Sequence, residues 1–409
     1  MSAVAAADLR EVRLDAGSLA AVTAALAAHA PTHDADASFP WPGILAVHEA
    51  GLLTASVVER DGGRGLSAHE TVEVFLALGQ GDPSVALITA MTVAQHALQA
   101  TTGALPVELY AQILRESAER PTLLNAVRAE PELGAPARGG LPATTARRTS
   151  DGWSVSGHKG FATGSEGLAY HLVWVVTDEI DQRVGHVLVP GDAPGIRIER
   201  TWDHLGMRAS STHDVIYDDV RVPFENFSGA PVGTVPNNGS IPGSIALAVP
   251  SLYVGIAQAA LAAFARFANE RVPTSLGRPI ATLERIQSVA GEAQAQLTQA
   301  RLVLDAVAAQ TDEGRPDPAS PGLVKLLTSR GAIAAVQGLV AAIGNPGLTR
   351  SLPFERHLRD VLCARPHPPQ DDAALVAAGR SVLEHTPVAS LPRSTTDASR
   401  THQERGTTP

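Results

Sequence analysis

Apolar and polar residues alternate along two stretches in the middle of the chain, 153–163 and 205–223, and this period of two predicts β-strands. In 153–163 (WSVSGHKGFAT), Gly157 and Gly160 predict a turn between two short strands. The stretch 171–177 (HLVWVVT) is dense in β-branched and aromatic residues. The stretch 205–223 (LGMRASSTHDVIYDDVRVP) has four apolar residues at strand spacing: Val215, Tyr217, Val220 and Val222. We therefore predict a central β domain and assign it residues 129–228.

Upstream of the β domain, apolar residues recur with the period of a helix. Helices are predicted over four stretches: 18–28, 67–78, 85–99 and 107–118. Ser67, followed three residues later by Glu70, has the spacing of a capping box. Asp82 or Ser84 can cap the next helix. We assign residues 1–128 to an N-terminal helical domain.

Downstream of the β domain, four long helical stretches predict a helix bundle. They cover residues 247–269, 283–313, 321–343 and 371–384. The segment 229–243 is rich in Gly, Pro and Asn and predicts a loop. We assign residues 229–386 to the bundle and the Ser/Thr/Arg/Pro-rich residues 387–409 to a disordered tail. The expected fold class is α+β.

Composition narrows the function classes. The chain has 409 residues, of which 44% are hydrophobic, enough for two or three domains with a large core. Its net charge of -10 argues against nucleic acid and against an anionic membrane surface. The single cysteine, Cys363, excludes an internal disulfide and a cysteine-only metal site. No apolar run reaches the roughly 18 residues that span a bilayer, and the N-terminus lacks signal-peptide features. We expect a cytoplasmic protein with no membrane segment.

The two alternating stretches carry a family resemblance. The GxK at 157–159, then Phe161 and Thr163, then LGMRxSxT…VxVP at 205–223, resemble the middle domain of the acyl-CoA dehydrogenase superfamily. That superfamily includes acyl-thioester desaturases and flavin-dependent monooxygenases similar to dibenzothiophene monooxygenase and the amino-sugar nitrososynthases. The resemblance runs from about residue 51 to about residue 383. It implies an N-terminal helical domain, a central small β-barrel or sandwich, a C-terminal four-helix bundle, and FAD or FMN as cofactor.

The resemblance also implies flavin contacts after GxK. Phe161 would lie near the isoalloxazine, and Thr163 would hydrogen-bond the flavin near N5. Ser165 ends the FATGS segment, whose TGS resembles the monooxygenase branch. The alternative is that Phe161 is a buried strand aromatic and Thr163 a capping residue.

The family's TEPxxGSD segment is matched only in part. Glu130, Pro131 and Gly134 agree with it, whereas Ala129 and Ala135 replace the threonine and the serine. The hydrogen bonds that those hydroxyls would give to flavin and thioester are therefore not expected here.

Other positions resemble contacts to the flavin's pyrophosphate and adenosine. Arg271 resembles the arginine of an RxxFG segment that reaches the pyrophosphate from a neighbouring subunit, although the spacing to Gly277 is two residues longer. Arg278 is an alternative candidate for the pyrophosphate contact. The other possibility is that Arg271 is an ordinary solvent-exposed arginine at a helix end. The segment IGNPG resembles the family's GGxG turn through Gly344, Asn345 and Gly347. Otherwise this segment is an ordinary loop.

The catalytic base of the dehydrogenases is missing from both of its usual places. Counting from Arg359, most members have glutamate where this chain has Pro368, and others have it where this chain has Ile245. Neither side chain can accept the α-proton of an acyl thioester. Three carboxylates lie nearby in the sequence: Glu355, Asp371 and Asp372. Each is either a catalytic base at a displaced position or an ordinary solvent-exposed side chain.

Two histidines are the candidates for proton transfer. His96 lies in the helix at 85–99, and His367 precedes Pro368. The monooxygenase branch keeps a histidine at each matching place, and histidine exchanges protons near neutral pH. Either residue could instead be structural, His96 inside the helical domain and His367 in a proline-flanked loop.

We therefore favour a two-component monooxygenase that uses O2 and reduced flavin from a separate reductase on a small molecule. The alternatives are an FAD-dependent acyl-CoA dehydrogenase with a displaced base and a non-catalytic flavoprotein or scaffold. The Ala-rich bundle faces predict a homotetramer or homodimer.

Overall fold

The computed structural model describes residues 8–132, 140–234, 242–315 and 320–385. The predicted tail at 387–409 and two of the segment residues discussed above, Gly134 and Ala135, lie outside these ranges. The N-terminal region contains α1 (Ala16–Asp36), α2 (Trp41–Glu49), α3 (Ala68–Gly81), α4 (Pro83–Thr102) and α5 (Val107–Glu119). The helices predicted from periodicity correspond to α1, α3, α4 and α5.

The predicted helix starts are present in α3 and α4. The Ser67 hydroxyl accepts the Glu70 N–H, and the Glu70 carboxylate accepts the Ser67 N–H, which completes the capping box. Asp82 caps α4, because its carboxylate accepts the N–H groups of Ser84 and Val85. These caps satisfy backbone donors that a helix cannot pair internally.

An eight-stranded mixed sheet occupies the middle of the chain. Its strands are β1 (Leu123–Val127), β2 (Thr145–Arg148), β3 (Trp153–Ala162), β4 (Leu168–Thr177), β5 (Arg183–Pro190), β6 (Ile196–Glu199), β7 (His213–Val222) and β8 (Phe227–Pro231). The order is β6-β7-β3-β2-β4-β5-β8, with β1 pairing β4 in parallel. The sheet thus starts before residue 129 and extends beyond residue 228.

The prediction of two short strands within 153–163 was wrong. Residues 153–162 form the single strand β3, which pairs with β7 along its length. The pairing register shifts between Val155 and Gly157 and again between Lys159 and Ala162. Glycine inside a strand often marks such an irregularity or a close backbone approach. A Cβ on Gly157 would lie 2.4 Å from Thr144 Oγ1, so the glycine permits close packing and does not form a turn.

The C-terminal region is helical. It contains α6 (Gly243–Ala246), α7 (Ala248–Glu270), α8 (Glu284–Asp312), α9 (Pro321–Ile343), α10 (Phe354–Leu362) and α11 (Asp371–His385). The four predicted bundle helices correspond to α7, α8, α9 and α11. The mixture of helices and one central sheet confirms the α+β fold class.

Helix α7 joins the bundle to the N-terminal domain. A Cβ on Gly79 of α3 would lie 2.2 Å from Leu252 O, and one on Gly255 of α7 would lie 2.4 Å from Leu76 O. Only glycine allows backbones this close. The small-residue face of α7 therefore packs against α3 of the same chain.

Two helices do not agree with the expectation that no stretch of the chain could span a membrane. By length and hydropathy alone, Gly243–Glu270 and Pro321–Ile343 both could. However, 67% and 56% of their most apolar windows are buried inside the protein. Alanine-rich core helices pass the same hydropathy test, so this is weak evidence for a membrane segment.

Candidate active site

An exposed aromatic surface forms at the end of β3. Phe161 is 68% exposed and has a φ of 55°, a conformation that non-glycine residues rarely adopt. Its ring meets Trp202 edge to face at 6.4 Å, and Trp202 stacks on His204 at 3.9 Å. Strained backbone of this kind concentrates at functional sites. The structure therefore contradicts the alternative that Phe161 is a buried strand aromatic.

Hydroxyl and amide groups surround Thr163 beside this surface. Thr163 Oγ1 accepts a hydrogen bond from Thr212 Oγ1 at 3.2 Å, and Thr212 pairs with Ser210 Oγ at 2.7 Å. Asn125 on β1 donates to the Thr163 carbonyl at 3.0 Å. Thr163 is 8% exposed. Its hydroxyl thus lies in a polar cluster near the protein surface.

Ser165 belongs to the same cluster. Its hydroxyl donates to the Ser211 carbonyl at 2.7 Å, and Ser211 Oγ donates to Glu166 at 3.1 Å. Arg200 Nε donates to the other oxygen of Glu166 at 2.9 Å. Ser210, Ser211 and Thr212 follow LGMR after one residue, Ala209. These hydroxyls were not predicted as site residues, although Ser210 and Thr212 belong to the LGMRxSxT motif.

Lys159, the lysine of GxK, is fully buried and makes an ion pair at 2.7 Å with Glu130. Glu130 also accepts the N–H groups of Ala143 and Thr144 and the Thr144 hydroxyl. Burial alone would raise the pKa of Glu130, but hydrogen bonds from Lys159 and Thr144 hold it below its usual value. Desolvation lowers the pKa of Lys159 to about 8. This pair connects β3 to both ends of the segment between β1 and β2.

His96 lies on α4, 1% exposed. Its Nδ1 is 3.1 Å from the Tyr110 hydroxyl on α5, and desolvation lowers its pKa to about 4. Its Nε2 is buried and has no hydrogen-bond partner within the described residues. His96 is therefore a neutral side chain inside the helical domain with one unsatisfied nitrogen.

His367 lies between α10 and α11 and is partly exposed. Its Nδ1 is 3.0 Å from the hydroxyl of Tyr253, which is fully buried on α7. Burial, and secondarily the charge of Lys325, lowers the pKa of His367 to about 4. Within the described residues, no hydrogen bond or ring contact joins His367 to His96. The structure thus does not bring the two histidines into one directly contacting pair.

The displaced carboxylates differ in how far they are already paired. Both oxygens of Glu355 accept hydrogen bonds from Arg359, at 2.6 and 3.1 Å. Asp371 accepts from Arg330 at 3.1 Å and lies 3.9 Å from Lys325. Asp372 lies in the first turn of α11, and Ile245 is buried. Ion pairing keeps Glu355 charged but occupies the lone pairs that a base would use. Oδ1 of Asp371 is buried and has no hydrogen-bond partner among the described residues.

The candidate contacts to the flavin's pyrophosphate and adenosine lie away from Phe161 in the chain. Arg271 and Arg278 are exposed in the connection between α7 and α8. Gly344 ends α9, and Asn345 and Gly347 lie in the following 3₁₀ helix. No hydrogen bond joins them to the segment 161–165 among the described residues. Their cofactor contacts stay predictions.

Family models identify all three regions. Models for the acyl-CoA dehydrogenase N-terminal, middle and C-terminal domains match residues 14–104, 126–220 and 247–369. The putative acyl-CoA dehydrogenase YdbM of Bacillus subtilis (strain 168) is 30% identical over 347 residues, 84% of this chain and 89% of that protein. The chain belongs to the acyl-CoA dehydrogenase family. It is therefore a flavin-dependent oxidoreductase by family.

Solved structures share the fold of this acyl-CoA dehydrogenase family member. Butyryl-CoA dehydrogenase from Megasphaera elsdenii has a TM-score of 0.78 at 21% identity, with 91% of this chain and 100% of that chain covered. FMN-bound TdsC from Paenibacillus sp. A11-2 has a TM-score of 0.79 at 23% identity, with 90% and 97% covered. At these identities the likeness establishes the fold and not the reaction.

The residues around Thr163 suit the family's flavin. A flavin needs an apolar plane for its ring system and a few placed hydrogen-bonding groups to set its electronics. Phe161 supplies an exposed aromatic ring, the partly buried Trp202 packs against its edge, and the Thr163 hydroxyl lies in the polar cluster beside them.

Sequence reasoning missed the partners of His367. Tyr253 stands in an Ala- and Gly-rich helix, and a buried tyrosine hydroxyl usually has a hydrogen-bond partner. Lys325 lies in the apolar helix α9 and is 2% exposed, which is rare for lysine unless it is paired. Each residue is a polar side chain within an otherwise apolar helical stretch, and this contrast can be recognised in the sequence.

Proposed function

We propose that this protein is a two-component flavin monooxygenase. The observation that carries the proposal is the absence of a carboxylate at the usual base positions, Ile245 and Pro368. It is supported by the pairing of both Glu355 oxygens with Arg359 and of one Asp371 oxygen with Arg330. An acyl-CoA dehydrogenase requires a free carboxylate as its base. His367 is adjacent to Pro368 and partly exposed, and we assign proton transfer to it.

The overall reaction consumes one O2, two electrons from reduced flavin and two protons. One oxygen atom enters the small-molecule substrate, and the other leaves as water. Reduced flavin, FAD or FMN supplied by a separate reductase, provides the electrons. Phe161, Trp202 and Thr163 would hold its ring system, and Arg271 of a neighbouring subunit its phosphate. The assembly is a homotetramer or homodimer in the cytoplasm.

The histidines have different parts in this proposal. His367 is neutral near pH 7, since its pKa is lowered to about 4, so it is a weak base by itself. It can pass a proton as a relay between its two nitrogens, of which Nδ1 meets the Tyr253 hydroxyl. His96 has an unsatisfied buried Nε2, and a polar atom of a ligand or a water would complete its hydrogen bonding. We place proton transfer on His367 and substrate polarisation on His96.

Oxygen consumption tests the proposal. The purified protein is mixed with chemically reduced FMN or FAD, and oxygen uptake and hydrogen peroxide are followed with and without a panel of small substrates. A monooxygenase gives oxygenated product with less peroxide than free flavin releases. If no substrate gives product and peroxide equals the protein-free control, the proposal is overturned.

Dehydrogenation remains the second candidate, because the curated relatives favour it. YdbM is described as a putative acyl-CoA dehydrogenase, and the mitochondrial short-chain specific acyl-CoA dehydrogenase of Mus musculus is 33% identical over 225 residues. That match covers 54% of each chain. Such an enzyme would hold FAD tightly. It would require Glu355 to leave Arg359, or Asp371 to accept the proton on Oδ1, the oxygen that Arg330 does not bind.

A further inference from the structure

Tyr253 is a polar residue in the apolar interior of the bundle. It lies on α7 and is 1% exposed, and its ring crosses that of His367 edge to face at 84°. Burial raises the pKa of Tyr253 well above its usual value, and nearby Cys363 and Asp360 add to the effect. The hydroxyl therefore keeps its proton and requires an acceptor.

The hydrogen bond between Tyr253 and His367 has a preferred direction. In the described part of the chain, Nδ1 of His367 is the partner of the Tyr253 hydroxyl, at 3.0 Å. If Nδ1 carried the imidazole proton and donated it, the phenol hydrogen would stay unpaired in the core, which is costly. Tyr253 therefore donates, Nδ1 accepts, and the proton of the neutral ring lies on Nε2.

Lys325 acts on the backbone next to His367. Its Nζ donates to the Pro369 carbonyl at 3.1 Å from α9. Asp371, 3.9 Å from Nζ, is itself bound to Arg330, so it balances this ammonium only in part. The positive charge of Lys325 opposes protonation of the nearby imidazole.

We propose that Tyr253 is a positioning residue that fixes the ring orientation and the tautomer of His367, with Lys325 fixing the backbone at Pro369. The Nε2–H is then presented on the side of the ring opposite to Tyr253. The expected effect of Tyr253 on turnover rests on the proposed function. The hydrogen bond and tautomer do not depend on that function.

Nitrogen NMR of the full-length protein with ¹⁵N-labelled histidine tests the tautomer directly. The His367 signals are identified by their absence in His367→Ala. In Tyr253→Phe, Nδ1 should lose its hydrogen-bonded shift, and the pKa of His367 should rise because no donor opposes protonation of Nδ1. Lys325→Met should also raise this pKa. Unchanged His367 nitrogen shifts and titration in Tyr253→Phe would overturn the proposal.

A matched control exists in the sheet. Tyr217 makes the same contact to Nδ1 of His171, at 2.7 Å, and both residues are buried. Tyr217→Phe removes one buried phenol hydroxyl of the same kind outside the candidate site. It should change the His171 signals and leave those of His367 where they are. A shift of His367 in this control would show that the Tyr253 effect is not local.

Turnover separates the inference from the proposed function. Tyr253→Phe should lower kcat about three- to tenfold with little change in KM, the scale of one neutral hydrogen bond. The loss of activity on the acid side should move to higher pH, following the raised pKa of His367. A fully active His367→Ala refutes the proposed function, and the NMR result then still decides the positioning role. If His367→Ala is impaired but Tyr253→Phe keeps the wild-type pH profile, the positioning role is refuted.

Discussion

Replacing Lys159 by methionine should destabilise the fold substantially. The Lys159 and Glu130 side chains are 0% and 4% exposed, so the substitution leaves a buried carboxylate without its cation. Removing one member of a buried pair typically costs about 3–5 kcal/mol. Glu130 keeps three donors, at 2.7, 3.0 and 2.6 Å, which places the expected loss at the low end, about 3 kcal/mol. Methionine fills similar space, so packing contributes little to this loss.

The assay is equilibrium chemical denaturation of wild type and Lys159→Met at neutral pH. The control is Arg120→Met, which removes a largely exposed partner of Glu116 and should cost less than about 1 kcal/mol. A loss below about 1 kcal/mol for Lys159→Met would refute the reasoning, because the pair would then contribute no more than an ordinary hydrogen bond.

Three shorter predictions concern the same regions. Thr163→Val should weaken flavin binding about fivefold, the loss of about 1 kcal/mol from one neutral hydrogen bond, measured by flavin fluorescence titration; unchanged affinity would remove Thr163 from the site. Arg271→Ala should weaken flavin binding more at low salt than at high salt in the same titration if its guanidinium meets the phosphate, and Arg278→Ala serves as its comparison. Glu130→Gln should make the stability of the fold less sensitive to acid. Since the pKa of Glu130 lies below 4.5, its stabilisation is present above that pH and is lost as pH falls through the lowered value, so wild-type denaturation midpoints should fall more steeply on acidification.

Periodicity predicted most elements because burial imposes it. Helix α9 has the predicted bounds, and the alternating residues Val215, Tyr217, Val220 and Val222 are all buried in β7. Glycine misled the prediction for 153–163, because a glycine permits a strand irregularity as readily as a turn. The choice between these depends on the neighbouring strand, which local sequence does not show.

The candidate site was predictable only in part. The aromatic and threonine after GxK are two positions apart, so Phe161 and Thr163 lie close together whatever the fold, and their flavin contacts stay predictions. Tyr253 and His367 are 114 residues apart, and their contact depends on how α7 packs against the connection before α11. Likewise, the pairing of Glu355 with Arg359 needs side-chain geometry to recognise, although the spacing of four residues on a helix permits it.

Anaerobic mixing with acyl-CoA tests the central claim most directly. The protein loaded with oxidised FAD is mixed, without oxygen, with acyl-CoA thioesters of different chain lengths, and the visible absorbance of the flavin is followed. With Glu355 paired to Arg359, Asp371 paired through one oxygen to Arg330, and no base at Ile245 or Pro368, the protein should leave the flavin oxidised. Rapid bleaching by an acyl-CoA, with formation of the enoyl thioester, would contradict the account and identify the protein as a dehydrogenase.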